Sequence, residues 1–248
     1  MLSNIRIVLV KTFHPGNIGS TARAMKNMGL GRLYLVDPKD FPSFEASQMA
    51  SSATDILKDA VVVNTLAEAL EGCSLAVGTT ARLRSVQWPQ IDSRECGELL
   101  VNESAEGEVA LVFGRERTGL HNEELELCQY LVNIPTGEEY ASLNVAQAVQ
   151  VLCYDILMAR RVGQTSKTTS AKDPKDREAT SDQMEGMYAH MFDTMQHLDF
   201  FGERNPEHVM RRMRCLYGRA RPTVREVQIM RGMFSSVLGN RTAKKRDK

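Results

Sequence analysis

The sequence predicts an α/β fold around a mostly parallel sheet, with a smaller helical region after it. Short apolar runs alternate with helix-like patterns from Ile5 to Ile134, the order expected of βαβ units. The first run, Ile5–Val10, alternates only weakly and is apolar nearly throughout, as a strand covered on both faces must be. After Gly163 the composition changes sharply, and apolar residues almost vanish until about Thr180.

Taken in order, Ile5–Val10 is the first strand and Gly19–Met28 a helix, closed by Gly29 as the residue that can turn left-handed. Leu33–Val36 is a strand stopped by Asp37-Pro38, Ala46–Leu57 one helix, and Ala60–Val63 a short strand. Leu66–Leu70 is a helical turn or two, Leu75–Thr79 a strand, Ser93–Val101 a helix and Val109–Phe113 a strand. Glu123–Cys128 is helical and Tyr130–Ile134 the last strand. A long helix then opens at Ser142-Leu143-Asn144. It is apolar nearly all round and therefore predicted to be buried. Ser142 is the expected N-cap, its hydroxyl taking an otherwise unpaired first-turn amide. The first 162 residues form one domain, 163–180 a flexible linker, 181–240 a helical basic region, and 241–248 a basic tail. The three late helices are Asp182–Leu198, Pro206–Ala220 and Val224–Leu238, with proline where helix starts tolerate it.

The zero net charge conceals an asymmetry. Residues 1–162 carry 14 Lys/Arg against 20 Asp/Glu, a balance of −6; residues 163–248 carry 17 against 11, a balance of +6. A basic region on an acidic body points to a polyanionic partner. Five scattered cysteines without a Cys-x-x-Cys pair, and histidines without ligand spacing, argue for reduced thiols and no metal. No apolar run approaches the roughly 20 residues of a membrane span. The first residues read as a strand, with no leader, so the protein is expected to be cytoplasmic.

There is neither a Gly-x-Gly-x-x-Gly nor a Walker lysine loop. Instead three unusual segments follow strands, where α/β sheets bind ligands. They are Asn17-Ile-Gly-Ser-Thr-Ala-Arg23, Phe113-Gly-Arg-Glu-Arg-Thr-Gly-Leu120, and the Ser142-Leu143-Asn144 helix start. Singly each has a plain reading: Gly19 and Gly114 serve tight turns, Arg23 is a surface charge, and Glu116 pairs with Arg115 or Arg117.

Together, in this order and spacing, they resemble the SPOUT superfamily of S-adenosylmethionine-dependent RNA methyltransferases, and within it the 2′-O-ribose branch. The resemblance spans roughly residues 5–160. Chain length, the helical C-terminal region and the loop Ala81–Pro89 extend it to the bacterial TrmJ-type tRNA enzymes. It implies a C-terminal trefoil knot that forms the donor site, a homodimer, and transfer of a methyl group to cytidine or uridine at position 32 of the anticodon loop. The alternatives are 2′-O-methylation of another RNA such as rRNA, or an RNA-binding protein that has lost catalysis.

By the same resemblance, S-adenosylmethionine contacts fall on Thr79, Thr80 and Ala81, on Gly114 and Arg115, on Ile134, and on Ser142, Leu143 and Asn144. Gly114 would let main chain approach the ligand. Catalysis is assigned to Arg23, with Asn17 nearby and with Ser142, Asn144 and Glu116. Arg23 either stabilises the developing alkoxide or a neighbouring phosphate, or acts as a base in a special site, since guanidinium barely deprotonates. Glu116 holds either Arg23 or the loop. Arg82 and Arg84, with Trp88 as a stacking ring, suit RNA; a structural tryptophan with solvated arginines is the other reading. Arg211, Arg212, Arg214, Arg219, Arg221 and Arg225 are expected to grip the RNA backbone.

Overall fold

A computed structural model describes residues 2–81, 88–137, 142–163 and 177–239. It divides into two compact units, Met1–Ser170 and Ala171–Lys248. Of the flexible linker expected at 163–180, residues 164–176 fall, like the tail, outside the described residues. Its two ends are ordered instead: Gly163 closes a helix, and Ala179 is buried with its amide donating to Pro222 O at 2.9 Å.

The first unit is a seven-stranded sheet in the order β3-β2-β1-β6-β4-β7-β5, every neighbouring pair parallel. The strands are β1 Ile5–Val10, β2 Arg32–Val36, β3 Val61–Val63, β4 Cys73–Thr79, β5 Gln90–Ile91, β6 Glu108–Phe113 and β7 Tyr130–Val132. Six of them stand where the sequence put them; β5 was missed, being too short for any periodicity to show. The two central strands, β1 and β6, are buried along almost their whole length. Even Arg6 on β1 is only 7% exposed. A charge is tolerated there because its guanidinium donates to the Ala69 carbonyl at 2.8 Å, pairs with Glu108, and lies over the Tyr34 ring.

Helices cover the sheet: α1 Pro15–Asn27, α2 Phe44–Ala50, α3 Thr54–Lys58, α4 Leu66–Leu70, α5 Ser93–Glu103, α6 Asn122–Leu125 and α7 Val145–Gly163. Three expectations change. First, α1 begins at Pro15, so the Asn17–Arg23 segment is helix and not loop. Gly19 is there for packing: a Cβ would lie 2.0 Å from the Ala46 carbonyl oxygen, where α1 crosses α2 backbone to backbone. Second, the single helix expected over 46–57 is broken at Ser51, whose φ of 52° no α-helix accepts. Third, the cap of α7 is Asn144 and not Ser142. The Asn144 side-chain oxygen accepts from the Ala146 amide at 2.8 Å, while Gln147 reaches back to the Asn144 amide at 3.2 Å. The asparagine side chain thus takes a first-turn amide, and the Gln147 side-chain oxygen accepts from the cap's own amide. The helix α7 packs against both α1 and α5. At Gly97 of α5 a Cβ would come within 2.8 Å of the Asp155 backbone, so that contact is also set by a missing side chain.

The second unit is three helices, α8 Ser181–His197, α9 Pro206–Ala220 and α10 Val224–Val237, around a small methionine-rich core of Met184, Met187, Met191 and Met210 with Tyr188. Its arginines divide. Arg214 makes a two-pronged ion pair with Glu185 and stacks over Tyr188, and Arg221 pairs with Glu178. Both are therefore engaged within the unit's own structure. Arg212 and Arg219 are exposed on α9, Arg225 is exposed on α10, and Arg211 is half-buried.

Candidate active site at the carboxyl ends of the strands

Strands β4, β6 and β7 end side by side, and the segments that leave them enclose one pocket. Thr79, Thr80 and Ala81 line it from β4; Gly114, Arg115, Glu116 and Arg117 line it from β6. Ile134 and Thr136 follow β7, and Ser142 and Leu143 precede α7. The ends of β4 and β7 are joined beside the pocket. The Thr80 amide donates to Val132 O at 3.0 Å, and the Asn133 side chain donates to Thr80 O at 2.9 Å.

The loop after β6 is held by its own backbone. Arg115 and Gly119 exchange amide–carbonyl bonds of 3.2 and 2.9 Å, and the Arg115 guanidinium takes Glu124 with two bonds of 2.9 Å. Glu124 also accepts the His121 amide at 2.7 Å. Burial would push its carboxyl up, but Arg115 and that amide outweigh it and hold it below the usual carboxylate range. Glu124 was not singled out from the sequence; the His121-x-x-Glu124 spacing of a helix start was the available signal. Gly114 has a different reason from the one expected. A Cβ there would lie 2.2 Å from the Gly119 carbonyl carbon and 2.3 Å from the Leu120 amide nitrogen, so the space it leaves is filled by its own loop.

At the rim the three segments meet through side chains. Glu116 accepts from the Phe13 and His14 amides at 3.1–3.2 Å and from the Asn17 side-chain amide at 3.0 Å. The Asn17 oxygen in turn accepts from Asn144 at 2.9 Å, across 127 residues of sequence. Glu116 thus holds the loop after β1 and the start of α1. It pairs with neither Arg115 nor Arg117, and no bond joins it to Arg23. Burial would raise its carboxyl, but Asn17, its own amide, Phe13 and His14 together hold it below the ordinary value. A depressed pKa makes it a fixed anion and a poor proton acceptor.

The expected consequence can be measured. The stabilisation from ionised Glu116 is complete above the ordinary carboxylate pKa and lost as pH falls through the lowered value, so it contributes no titration near neutrality. Glu116→Ala should lower turnover by about a hundredfold through misplacement of Asn17 and Asn144. Glu116→Gln should lose less, and its pH–rate curve should keep the parent's shape at neutral and alkaline pH. An acid limb near neutrality that disappears in Glu116→Gln would mean the carboxyl moves a proton.

Arg23 stands apart from this network. It is exposed on α1, six residues beyond Asn17, which places it about 9 Å along the helix and about 120° around it. Trp88 is not a stacking surface: it is 8% exposed, and its indole N–H donates to Cys128 O at 3.2 Å. Arg82 and Arg84 lie outside the described residues. No cluster of metal-binding side chains occurs among the described residues. The cysteines are free thiols, four of them buried, and burial pushes Cys128 and Cys153 up to about 12.

A parallel sheet with a pocket at its carboxyl edge, and with Asn17, Glu116 and Asn144 joined beside it, is the frame of an RNA methylase. The chain belongs to the SpoU rRNA methylase family, whose model matches residues 4–154. The model of the C-terminal domain of the tRNA methyltransferase TrmJ matches residues 182–248. The chain is 46% identical over 244 residues to the tRNA (cytidine/uridine-2′-O-)-methyltransferase TrmJ of Cronobacter sakazakii, covering 98% of this chain and 100% of that one. It is 49% identical to the tRNA (cytidine/uridine/adenosine-2′-O-)-methyltransferase TrmJ of Pseudomonas aeruginosa, covering 95% and 94%. Among solved structures it resembles TrmJ from Z. mobilis, with a TM-score of 0.81, 29% identity, and 94% and 98% coverage.

Proposed function

We propose that this protein transfers a methyl group from S-adenosylmethionine to the ribose 2′-hydroxyl of cytidine or uridine in tRNA, at position 32 of the anticodon loop. The observation that carries the reading is the Glu116–Asn17–Asn144 chain of hydrogen bonds at the rim of the pocket, in a polypeptide whose two units match the two parts of the TrmJ-type enzymes.

The pocket suits the donor. Leu125, Val132, Ile134 and Val145 offer apolar walls; Thr79, Thr80 and Ser142 offer polar groups; and the Glu116 carboxylate is a counter-charge for a sulfonium. The bound donor supplies a methyl carbon already activated for displacement. The residues must then orient the ribose, stabilise charge on its 2′-oxygen and let its proton leave. Asn17 and Asn144, fixed by each other and by Glu116, hold the ribose. Arg23 faces the oxygen or an adjacent phosphate and stabilises negative charge there. Mass spectrometry of tRNA nucleosides after incubation with labelled donor tests this: 2′-O-methylcytidine or 2′-O-methyluridine is expected. Label found only in rRNA, or only on a base, would overturn it. Appearance of 2′-O-methyladenosine would extend the range, as the name of the Pseudomonas relative does.

Two features of assembly belong to the same reading. Strand β7 enters the sheet between β4 and β5, both earlier in the chain, which supports a trefoil knot in which the segment leading to α7 threads a preceding loop. The helix α7 leaves Val151, Tyr154, Met158 and Val162 exposed on one stripe, with Val162 at 71%. An apolar stripe of this kind suits burial against a second copy, so the enzyme is a homodimer, and Arg23 on the adjoining α1 reaches the partner's pocket. We place the protein in the cytoplasm, where its free thiols stay reduced; no described helix is long and apolar enough to cross a membrane.

The second unit contributes RNA affinity through Arg212 and Arg219, exposed two turns apart on one face of α9. Arg212→Gln with Arg219→Gln should weaken tRNA binding and flatten the log affinity–log salt slope by about two units. Arg214→Gln should instead loosen the unit, lowering its melting temperature while leaving the slope nearly unchanged. Unaltered slope in the double variant would show that α9 faces solvent when RNA is bound.

A further inference from the structure

Phe13 stands beside the rim, and nothing in the hydrogen-bonded network requires a phenyl ring there. Its main-chain N–H donates to Glu116, and the neighbouring Thr12 is buried, so the backbone at this point is pinned. The ring itself is left 51% exposed. It is nevertheless held in a defined setting. The Lys39 ammonium lies 3.4 Å from its centroid, and the His14 imidazole meets it edge-on with centroids 5.0 Å apart. Lys39 is fixed by a main-chain bond to Thr12 O at 3.1 Å, so ring and cation come from the loops after β1 and β2 in one registered unit.

An oriented, half-exposed aromatic ring with a cation over it is what an unpaired nucleotide recognises. The exposed part of the ring offers π-surface to a base, and the ammonium offers charge to a phosphate. Phe13 is four residues from Asn17 and shares Glu116 with it. That common anchor puts a base on the ring within reach of the nucleotide whose ribose is assigned to Asn17 and Asn144. We infer that Phe13 is the stacking platform for the target pyrimidine once it is turned out of the anticodon loop, and that Lys39 binds its phosphate. Stacking reads a π-face and not an edge, so the platform accepts cytidine and uridine alike.

This inference rests on the proposed ribose methylation, and the experiment separates the two. Kinetics of full-length protein are measured with tRNA and with the same tRNA carrying an abasic ribonucleotide at the target, which keeps the 2′-hydroxyl. Phe13→Ala should raise KM for tRNA by about tenfold, the size expected for loss of one stacked base. Its kcat and donor affinity should stay within about twofold of the parent. Phe13→Trp should retain the parent KM, and Phe13→Leu should behave like Phe13→Ala. On the abasic tRNA, parent and Phe13→Ala should be equally poor. Full activity of Phe13→Leu, an equal loss on the abasic substrate, or dissociation of the dimer by Phe13→Ala would each overturn the platform. Parent protein that methylates tRNA and is matched by Phe13→Ala defeats this inference alone; parent protein that leaves tRNA ribose unmodified defeats the function and the inference with it.

Discussion

Arg23→Ala should cut tRNA methylation by about a thousandfold, the loss expected when a preorganised charge on a developing oxyanion is removed. Donor affinity should stay within a few fold, because Arg23 does not line the pocket formed by its own chain. The fold should also survive, since the side chain is exposed. A stronger form of the result tests the dimer. An Arg23→Ala chain has an intact pocket, and a chain disabled in the pocket, such as Asn144→Ala, has an intact Arg23. If Arg23 serves the partner's pocket, mixing and re-annealing the two inactive proteins creates one complete site per heterodimer. Random pairing then restores about a quarter of the parent activity. No restoration, with heterodimers shown to form, would return Arg23 to its own chain's site. Collapse of donor binding in Arg23→Ala would remove it from substrate chemistry altogether.

Gly114→Val should abolish donor binding, and for a steric reason inside the protein. The added Cβ would sit little more than 2 Å from the Gly119 and Leu120 backbone, so the loop closed by Arg115 and Gly119 must open. Opening it breaks the seat of Glu116, and with it the placement of Asn17 and Asn144. Turnover should fall below detection, and thermal stability should drop by several degrees or more, as overpacking against backbone costs about 1–3 kcal/mol or above. Calorimetric titration with S-adenosylmethionine and a thermal melt check both. Normal donor affinity in this variant would show that the loop yields without disturbing the pocket.

The asymmetry between these residues and their sequence signals is instructive. Ile5–Val10, Val109–Phe113 and Leu75–Thr79 were legible because a strand buried on both faces must be apolar along its length, a condition met locally. Gly29 was legible as a helix end for the same kind of reason, and it takes a φ of 75°. Ser142 was the natural cap to infer, because serine favours that place; Asn144 holds it instead. Its oxygen caps α7 while its amide donates to Asn17, so one side chain serves the helix and the rim together.

The sequence by itself determined the alternation of strands and helices and the break in composition after residue 162; the three segments after the strands stood out through their resemblance to a family. The alternation and the break follow from periodicity and composition, which act over a few residues. Tertiary structure alone decided what the polar residues do. Glu116 holds the loop after β1 because Phe13, His14 and Asn17 come within about 3 Å of it from roughly a hundred residues earlier. Arg214 turns to Glu185 and Tyr188, Trp88 to Cys128, and Gly114 makes room for Gly119. A buried or half-buried polar group takes the partner that offsets its lost hydration. Which partner is at hand depends on how distant segments pack, and no local pattern carries that information.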